Sequence, residues 1–326
     1  MNWLALINTA WGKRQSLWQD ASLDCFRIFH GYEEGAKGVV IEKFNHAAVI
    51  DYKSDIRDTL PELAQALLNV FPFENIIAKG HQSLGLSLKE RTHLLRGNDA
   101  GATCHEHELK FRIKLDVPHN PGLYLDARDA RRWLSANSAG RRVLNLFAFT
   151  GSLGLSAAYG RAAEVIHLDR SKELLPRIQD NYRINNIELD TRNFLRGDIY
   201  KHLPRAIKAG QRFDGIILDP PPKIYPSRYA SHRPRGQDFP ALIQHCSELL
   251  NPGGWIMGML HHFDYSWDDF EDQVTQASNG LLHPQVRITS GIDFPESEPA
   301  KKLRVSIFFA RGDADEESYP IAKPER

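Results

Sequence analysis

Three cysteines in 326 residues, at positions 25, 104 and 246, are too few and too scattered for a disulfide scaffold or a metal-ligand array. A reducing cytosolic setting and no bound metal are the expectations. Charge of either sign is not in excess either, because 41 basic and 41 acidic side chains cancel. No global field marks a nucleic-acid binder, so such a role must rest on local charge. Apolar runs approaching ~18 residues are missing, and residues 1–14 lack a basic segment followed by a long apolar stretch. Neither export nor membrane insertion is expected. Internal repeats are absent too, which excludes solenoids. What is present is ordinary: 42% hydrophobic and 25% charged content, over a length allowing one large or two modest domains.

Residues 2–18 place Trp3, Leu4, Leu6, Ile7, Trp11 and Leu17 at mostly helical spacing, with Lys13 and Arg14 outside that stripe. Cys25–Tyr52 alternates strand-like runs with turns and predicts a small antiparallel sheet, with Glu33-Glu34-Gly35 as turn residues. Asp55–Phe71 predicts an amphipathic helix and 75–78 a strand. Cys104-His105-Glu106-His107 invites a zinc reading, but neighbours on a strand point to opposite faces, and HELKFRIKL alternates as a half-exposed strand should. The tail after Gly312 has too little apolar content to pack and is expected to be disordered.

The chain is organised around Val143–Gly154, VLNLFAFTGSLG. A buried-strand run breaks at Phe149-Thr150-Gly151-Ser152 and resumes as a helical pattern, the start of a βα unit whose helix N-terminus presents free N–H groups. Two further apolar runs end in Asp169 and Asp219, the latter opening Asp219-Pro220-Pro221-Pro222. The pattern from Val143 onward predicts a mostly parallel α/β sheet with right-handed crossovers. Strands are expected near 143–148, 164–169, 192–196, 213–219, 254–260, 285–289 and 303–310, the last two as a reversed hairpin at the edge. Helices are expected near 152–161, 171–186, 199–209, 237–250 and 266–278. The turn fits the dinucleotide fingerprint poorly, since Phe147 and Phe149 stand where close-approach glycines would be. An adenosine cofactor without a pyrophosphate fits better.

The run Asn145-x-Phe147-x-x-Thr150-Gly151-Ser152, together with Asp219-Pro220-Pro221, resembles the class I S-adenosylmethionine-dependent methyltransferases. Among them it is most similar to the family that modifies large-subunit ribosomal RNA at cytosine C5 or guanine N7. The resemblance covers residues 22 to 310, with RIFHGYEEGAKGVVIEKF similar to the family's middle domain. It implies a class I Rossmann-like, mostly parallel seven-stranded sheet (116–312) after a small α+β domain (1–115), ahead of the tail at 313–326. It also implies S-adenosylmethionine as cofactor and ribosomal RNA as partner. Gly122-Leu123-Tyr124-Leu125-Asp126-Ala127-Arg128 reproduces a family run that would put Asp126 and Arg128 near the cofactor and the substrate mouth. Phe147, Thr150 and Ser171 join the cofactor contacts on the same ground.

Chemistry then distributes roles at the carboxyl ends of the strands, where open α/β sheets bind ligands. Asp169 would accept the ribose hydroxyls. Asp198 would accept from the adenine amine, with Ile199 against the ring. Asn145 and the Gly151 backbone would hold the methionine end. Asp219, Pro220 and Pro221 would hold the acceptor, with Pro222 where many amine-methylating relatives carry an aromatic and Tyr225 as its nearest replacement. No cysteine follows the fifth strand, and Cys246 falls mid-helix, so a nitrogen acceptor is favoured over cytosine C5. Lys223, Tyr225, Arg228, Tyr229, Arg233 and Arg235 interleave positive and aromatic side chains without an acidic one, as single-stranded RNA requires. The competing readings are a methyltransferase for a small molecule or protein, a nicotinamide oxidoreductase, and a catalytically silent RNA-binding relative.

Overall fold

The computed structural model describes residues 1–98, 101–115, 117, 120–221, 239–261, 265–297 and 302–311. It opens with two short helices, α1 (Trp3–Lys13) and α2 (Gln15–Gln19), in place of one continuous stripe. The break falls at Arg14, and the expectation that Arg14 lies outside the packed stripe is wrong. Its side chain is fully buried. Its guanidinium donates to both oxygens of Glu34 at 2.7 and 3.0 Å and to the carbonyl of Arg27 at 2.7 Å. Periodicity marks where a residue faces, and no period reveals a carboxylate twenty positions on.

A five-stranded sheet follows: β1 (Cys25–His30), β2 (Val39–Phe44), β3 (Ala47–Tyr52), β4 (Asn75–Gly80) and β5 (Thr92–Arg96), paired in chain order. Its pairs are antiparallel except β3–β4. That parallel pair needs a crossover, which α3 (Leu60–Val70) supplies with Leu60, Leu63 and Leu67 turned inward. A hairpin, β6 (Ala102–Glu106) and β7 (Leu109–Ile113), comes next, β7 alternating buried and exposed residues as expected. The open edge of β7 is covered by α6 (Leu174–Ile184) and the residue after it. Asn181 and Asn185 accept from the Arg112 and Lys110 amides at 2.8 Å.

The second sheet has seven strands: β8 (Arg142–Leu146), β9 (Glu164–Asp169), β10 (Phe194–Arg196), β11 (Phe213–Leu218), β12 (Leu250–Leu260), β13 (Leu282–Thr289) and β14 (Arg304–Ala310). Their order is β10-β9-β8-β11-β12-β14-β13, parallel from β10 to β12 and antiparallel at β14. The expected α/β class and the reversed terminal hairpin are both present. Around the sheet lie α4 (Arg128–Asn137), α5 (Ser152–Tyr159), α6, α7 (Ile199–Lys208), α8 (Phe239–Leu249) and α9 (Trp267–Ala277). Among the described residues no helix is long and apolar enough to cross a membrane.

The apolar core does not stop at residue 115. One cluster runs from Trp3 and Phe29 through Phe111 and Leu125 to Leu155, Ile178 and Phe294. Charges cross the same seam. Asp293, on the connection between β13 and β14, is fully buried and accepts from Arg128 at 2.9 Å and from the Arg27 amide at 3.0 Å. Its own carbonyl accepts from Arg14 at 3.3 Å. Arg131 is held by both oxygens of Glu106 at 2.6 Å. Removing one partner of such a pair leaves a bare charge in the interior. Asp293→Ala is therefore expected to destabilise the protein by about 3–5 kcal/mol in urea unfolding. A surface substitution of an exposed acid such as Glu62→Ala should change it by no more than ~0.5 kcal/mol.

Candidate active site

In the seven-stranded sheet the strand order reverses between β8 and β11, where β9 and β11 flank β8. Asp169 ends β9 and Asp219 follows β11, so both reach the crevice that opens there. A cavity of about 390 Å³ lies at this edge, lined among others by Tyr124, Asp126, Phe147, Phe149, Asp169 and Asp219. Pro220, Pro221 and His261 complete its acceptor side.

The turn after β8 explains why phenylalanines can stand where glycines are usual. Phe147 and Phe149 adopt φ of 57° and 49°, and Gly151 adopts 78°. Non-glycine residues in that left-handed region cost of order 1–3 kcal/mol each, so surrounding contacts must hold them. Asp169 supplies one, accepting from the Phe149 amide at 3.1 Å with one oxygen and from the Ser171 amide at 3.0 Å with the other. Thr150 supplies another, its buried hydroxyl donating to the Gly122 carbonyl at 2.6 Å. Beneath the turn, a Cβ on Gly154 would come within 2.4 Å of the His167 ring. Glycine there lets α5 settle on the sheet.

Several expected contacts are not brought to the cavity. Asn145 is buried and does not line the cavity, its Nδ2 donating to His167 Nδ1 at 3.2 Å while its Oδ1 has no partner among the described residues. His167, driven down to about 4 by burial, stays neutral and keeps its Nε2 proton for the Tyr182 hydroxyl at 2.9 Å. Arg128 points into the seam against Asp293, not toward the mouth. Asp198 caps α7, accepting from the Tyr200 amide at 3.0 Å, and Ile199 is buried in the core below it. The reason is position: β10 is the sheet edge, two strands from β8. Ser171 and Gly151 contribute backbone geometry, Ser171 turning its hydroxyl to Glu173. The six residues expected to bind RNA, Lys223, Tyr225, Arg228, Tyr229, Arg233 and Arg235, lie outside the described residues.

His261 is the residue that sequence reasoning missed. Its Nε2 lies 2.7 Å from an Asp219 oxygen, and the side chains are 26% and 23% exposed. The available signal was register: Leu218 pairs with Gly258 on the neighbouring parallel strand, so residues just past both strands must meet. Burial opposes a charged ring, but the Asp219 carboxylate outweighs it and holds the imidazole above its ordinary pKa.

The geometry has counterparts in known proteins. A family model described as S-adenosylmethionine-dependent methyltransferase matches residues 95–309, about two thirds of the chain. This chain belongs to that family. The chain is 31% identical over 257 residues to ribosomal RNA large subunit methyltransferase I of Erwinia tasmaniensis, covering 77% of this chain and 64% of the relative. Its counterpart in Serratia proteamaculans is 30% identical over 242 residues, 72% of this chain and 60% of that one. The chain thus spans less than two thirds of the length of these relatives. A protein of Streptococcus mutans described as an S-adenosylmethionine-dependent methyltransferase shares the fold at TM-score 0.82 and 21% identity, over 94% of this chain and 81% of that one. The tRNA m1G37 methyltransferase of M. jannaschii shares it at TM-score 0.56 and 11% identity, over 95% and 79%. The cofactor of the family is S-adenosylmethionine.

His261 makes a direct prediction. In an NMR titration its ring should titrate above ~6.5, the ordinary histidine value. Asp219→Asn removes the main opposition to burial, leaving only the more distant Asp126, and should lower the midpoint. The attraction contributes fully below pH ~6.5 and fades as pH rises through the raised pKa. An unmoved midpoint in the variant would show that the two groups are not paired in solution.

Proposed function

We propose that this chain transfers the methyl group of S-adenosylmethionine to a nitrogen of a base in structured RNA, ribosomal RNA being the expected source. The observation that carries the choice of nitrogen is where the cysteines lie. All three are buried, and none lines the crevice. Attack on C5 of cytosine needs a thiolate against the ring. Burial holds the Cys246 thiol far above its usual range within α8. The RNA half of the reading is supported by the names of the relatives that match more than 70% of this chain.

The crevice fits the cofactor. A carboxylate can accept about four hydrogen bonds, and Asp169 has one on each oxygen, leaving lone pairs for two ribose hydroxyls. Asp126 carries a buried oxygen without a partner among the described residues, a second acceptor at the same crevice. The sulfonium supplies an already activated methyl, so the protein's task is alignment. Pro220 and Pro221 have no N–H, which leaves their carbonyls free to accept from the incoming amine. Asp219 accepts alongside them, and His261 holds that carboxylate through one of its oxygens.

Three outcomes test this reading. In calorimetry, Asp169→Ala should weaken S-adenosylmethionine by ~10², two lost charge-assisted hydrogen bonds. With tritiated cofactor and unmodified large-subunit ribosomal RNA transcript, replacing all three cysteines by serine should leave transfer within about tenfold, whereas a lost thiolate nucleophile removes it entirely. Asp219→Ala should lower turnover far more than cofactor affinity. Loss of activity in a folded Cys246→Ser variant would overturn the nitrogen acceptor. Label entering protein or small molecules but not RNA would overturn the RNA substrate.

A further inference from the structure

A second cavity, of about 450 Å³, lies beside the first, between the five-stranded sheet and residues 120–126. Both cavities are lined by Tyr124 and Asp126, so they form one cleft. Its volume falls within the roughly 300–1,000 Å³ of small-ligand sites.

Strand register builds the floor. Arg27 stands opposite Glu42, and Val40, Asp51 and Lys79 are partners across β2, β3 and β4. Cross-strand partners share a face, so one face of the sheet carries Arg27, Glu42, Asp51 and Lys79 together. Arg27 donates to Glu42 at 2.8 Å, and both Glu42 and Lys79 are buried. Asp51 is the exposed residue of β3, a strand otherwise buried, and lines the cavity with Arg27, Glu42 and Lys79. Burial in this concave floor, reinforced by Glu42, lifts its carboxyl to about 6. On the floor these two positive and two negative charges balance, with Lys53, Arg91 and Asp126 also lining the cavity. The floor offers paired donors and acceptors to a neutral polar group.

The walls add flat apolar surface. Tyr32 and Tyr124 are 46% and 47% exposed, unusual for rings that line a cavity. Charge-neutral polar recognition beneath exposed aromatic faces is the chemistry of a nucleobase. Neither Asp169 nor Asp219 lines this cavity, so its occupant is not the base that receives the methyl group.

We propose that the cavity takes the base of a nucleotide flanking the methylated one, stacked on Tyr32 and read through its exocyclic amine by Asp51. The assignment rests on the RNA reading above and adds a sequence preference to it. Cytosine and adenine present such an amine, and uracil has a carbonyl in its place.

The test uses the full chain, saturated with S-adenosylhomocysteine, and fluorescein-labelled short homopolymers of cytidine, adenosine and uridine. Anisotropy should show Tyr32→Ala weakening all three probes by about tenfold or more, since stacking tolerates any base. Asp51→Ala should weaken cytidine and adenosine probes by about fivefold and leave uridine within about twofold. Unchanged S-adenosylhomocysteine affinity and unfolding midpoints identify folded variants. If both folded variants bind every probe as the parent does, the subsite is overturned and the RNA substrate stands. If the parent binds no probe and methylates no ribosomal RNA transcript, the RNA substrate falls and the subsite falls with it.

Discussion

A single buried carboxylate, Asp293, gathers groups from both sheets. Arg128 at the start of α4, the backbone of β1 and the Arg14 side chain between α1 and α2 all converge on its carboxylate or its carbonyl. Buried ion pairs add little net stability, because desolvation consumes most of the Coulomb gain. Their effect here is on geometry. Any displacement of the five-stranded sheet breaks the bonds from Arg14 and the Arg27 amide to Asp293 and from Arg128 to the Cys25 carbonyl. Buried polar groups are then left unsatisfied, while the Arg14–Glu34 and Arg128–Asp293 pairs each stay within one half. The cleft between the two sheets, with both of its cavities, therefore keeps one shape.

Within that frame the βα turn after β8 stores strain that its neighbours hold in place. Two phenylalanines sit in backbone conformations suited to glycine, and the Asp169 carboxylate fixes the amide of one of them. The same turn is tied outward through Thr150 to Gly122 and through Asn181, which donates to the Thr150 carbonyl and accepts from β7. The hairpin, the turn and the segment carrying Tyr124 and Asp126 are thus linked by consecutive hydrogen bonds. A turn with glycines at these positions would be relaxed but would lack the rings of Phe147 and Phe149, which line the crevice.

Charge is arranged differently in the two halves of the cleft. At the crevice, Asp126, Asp169 and Asp219 stand with His261 among the described lining residues, and acidic groups predominate. On the sheet floor two positive and two negative side chains lie together. The first arrangement suits a positively charged donor and an amine, and the second suits a neutral base edge. Both follow from which strand ends and strand faces the topology brings together.

Much of the second sheet was legible in the chain itself. The apolar runs ending in Asp169 and Asp219 located strands and their functional ends, because a strand buried on both faces requires an uninterrupted apolar sequence. Phe147 and Phe149, standing where close-approach glycines would be, argued against a pyrophosphate-hugging loop, in keeping with the family's cofactor. Other features depended on partners far away in sequence. Asp198 follows a strand just as Asp169 does, yet it caps a helix, because β10 lies at the edge while β9 lies beside the crossover. Asn145 matched the motif, but its amide is spent on His167, its register partner on the neighbouring strand. Arg14, His261 and the charged floor gave no periodic signal, since their meaning lies in Glu34, Asp219 and the register of four strands. Local sequence determines which way a residue faces. Only the tertiary fold decides what it faces, because that partner is set by strand order and packing.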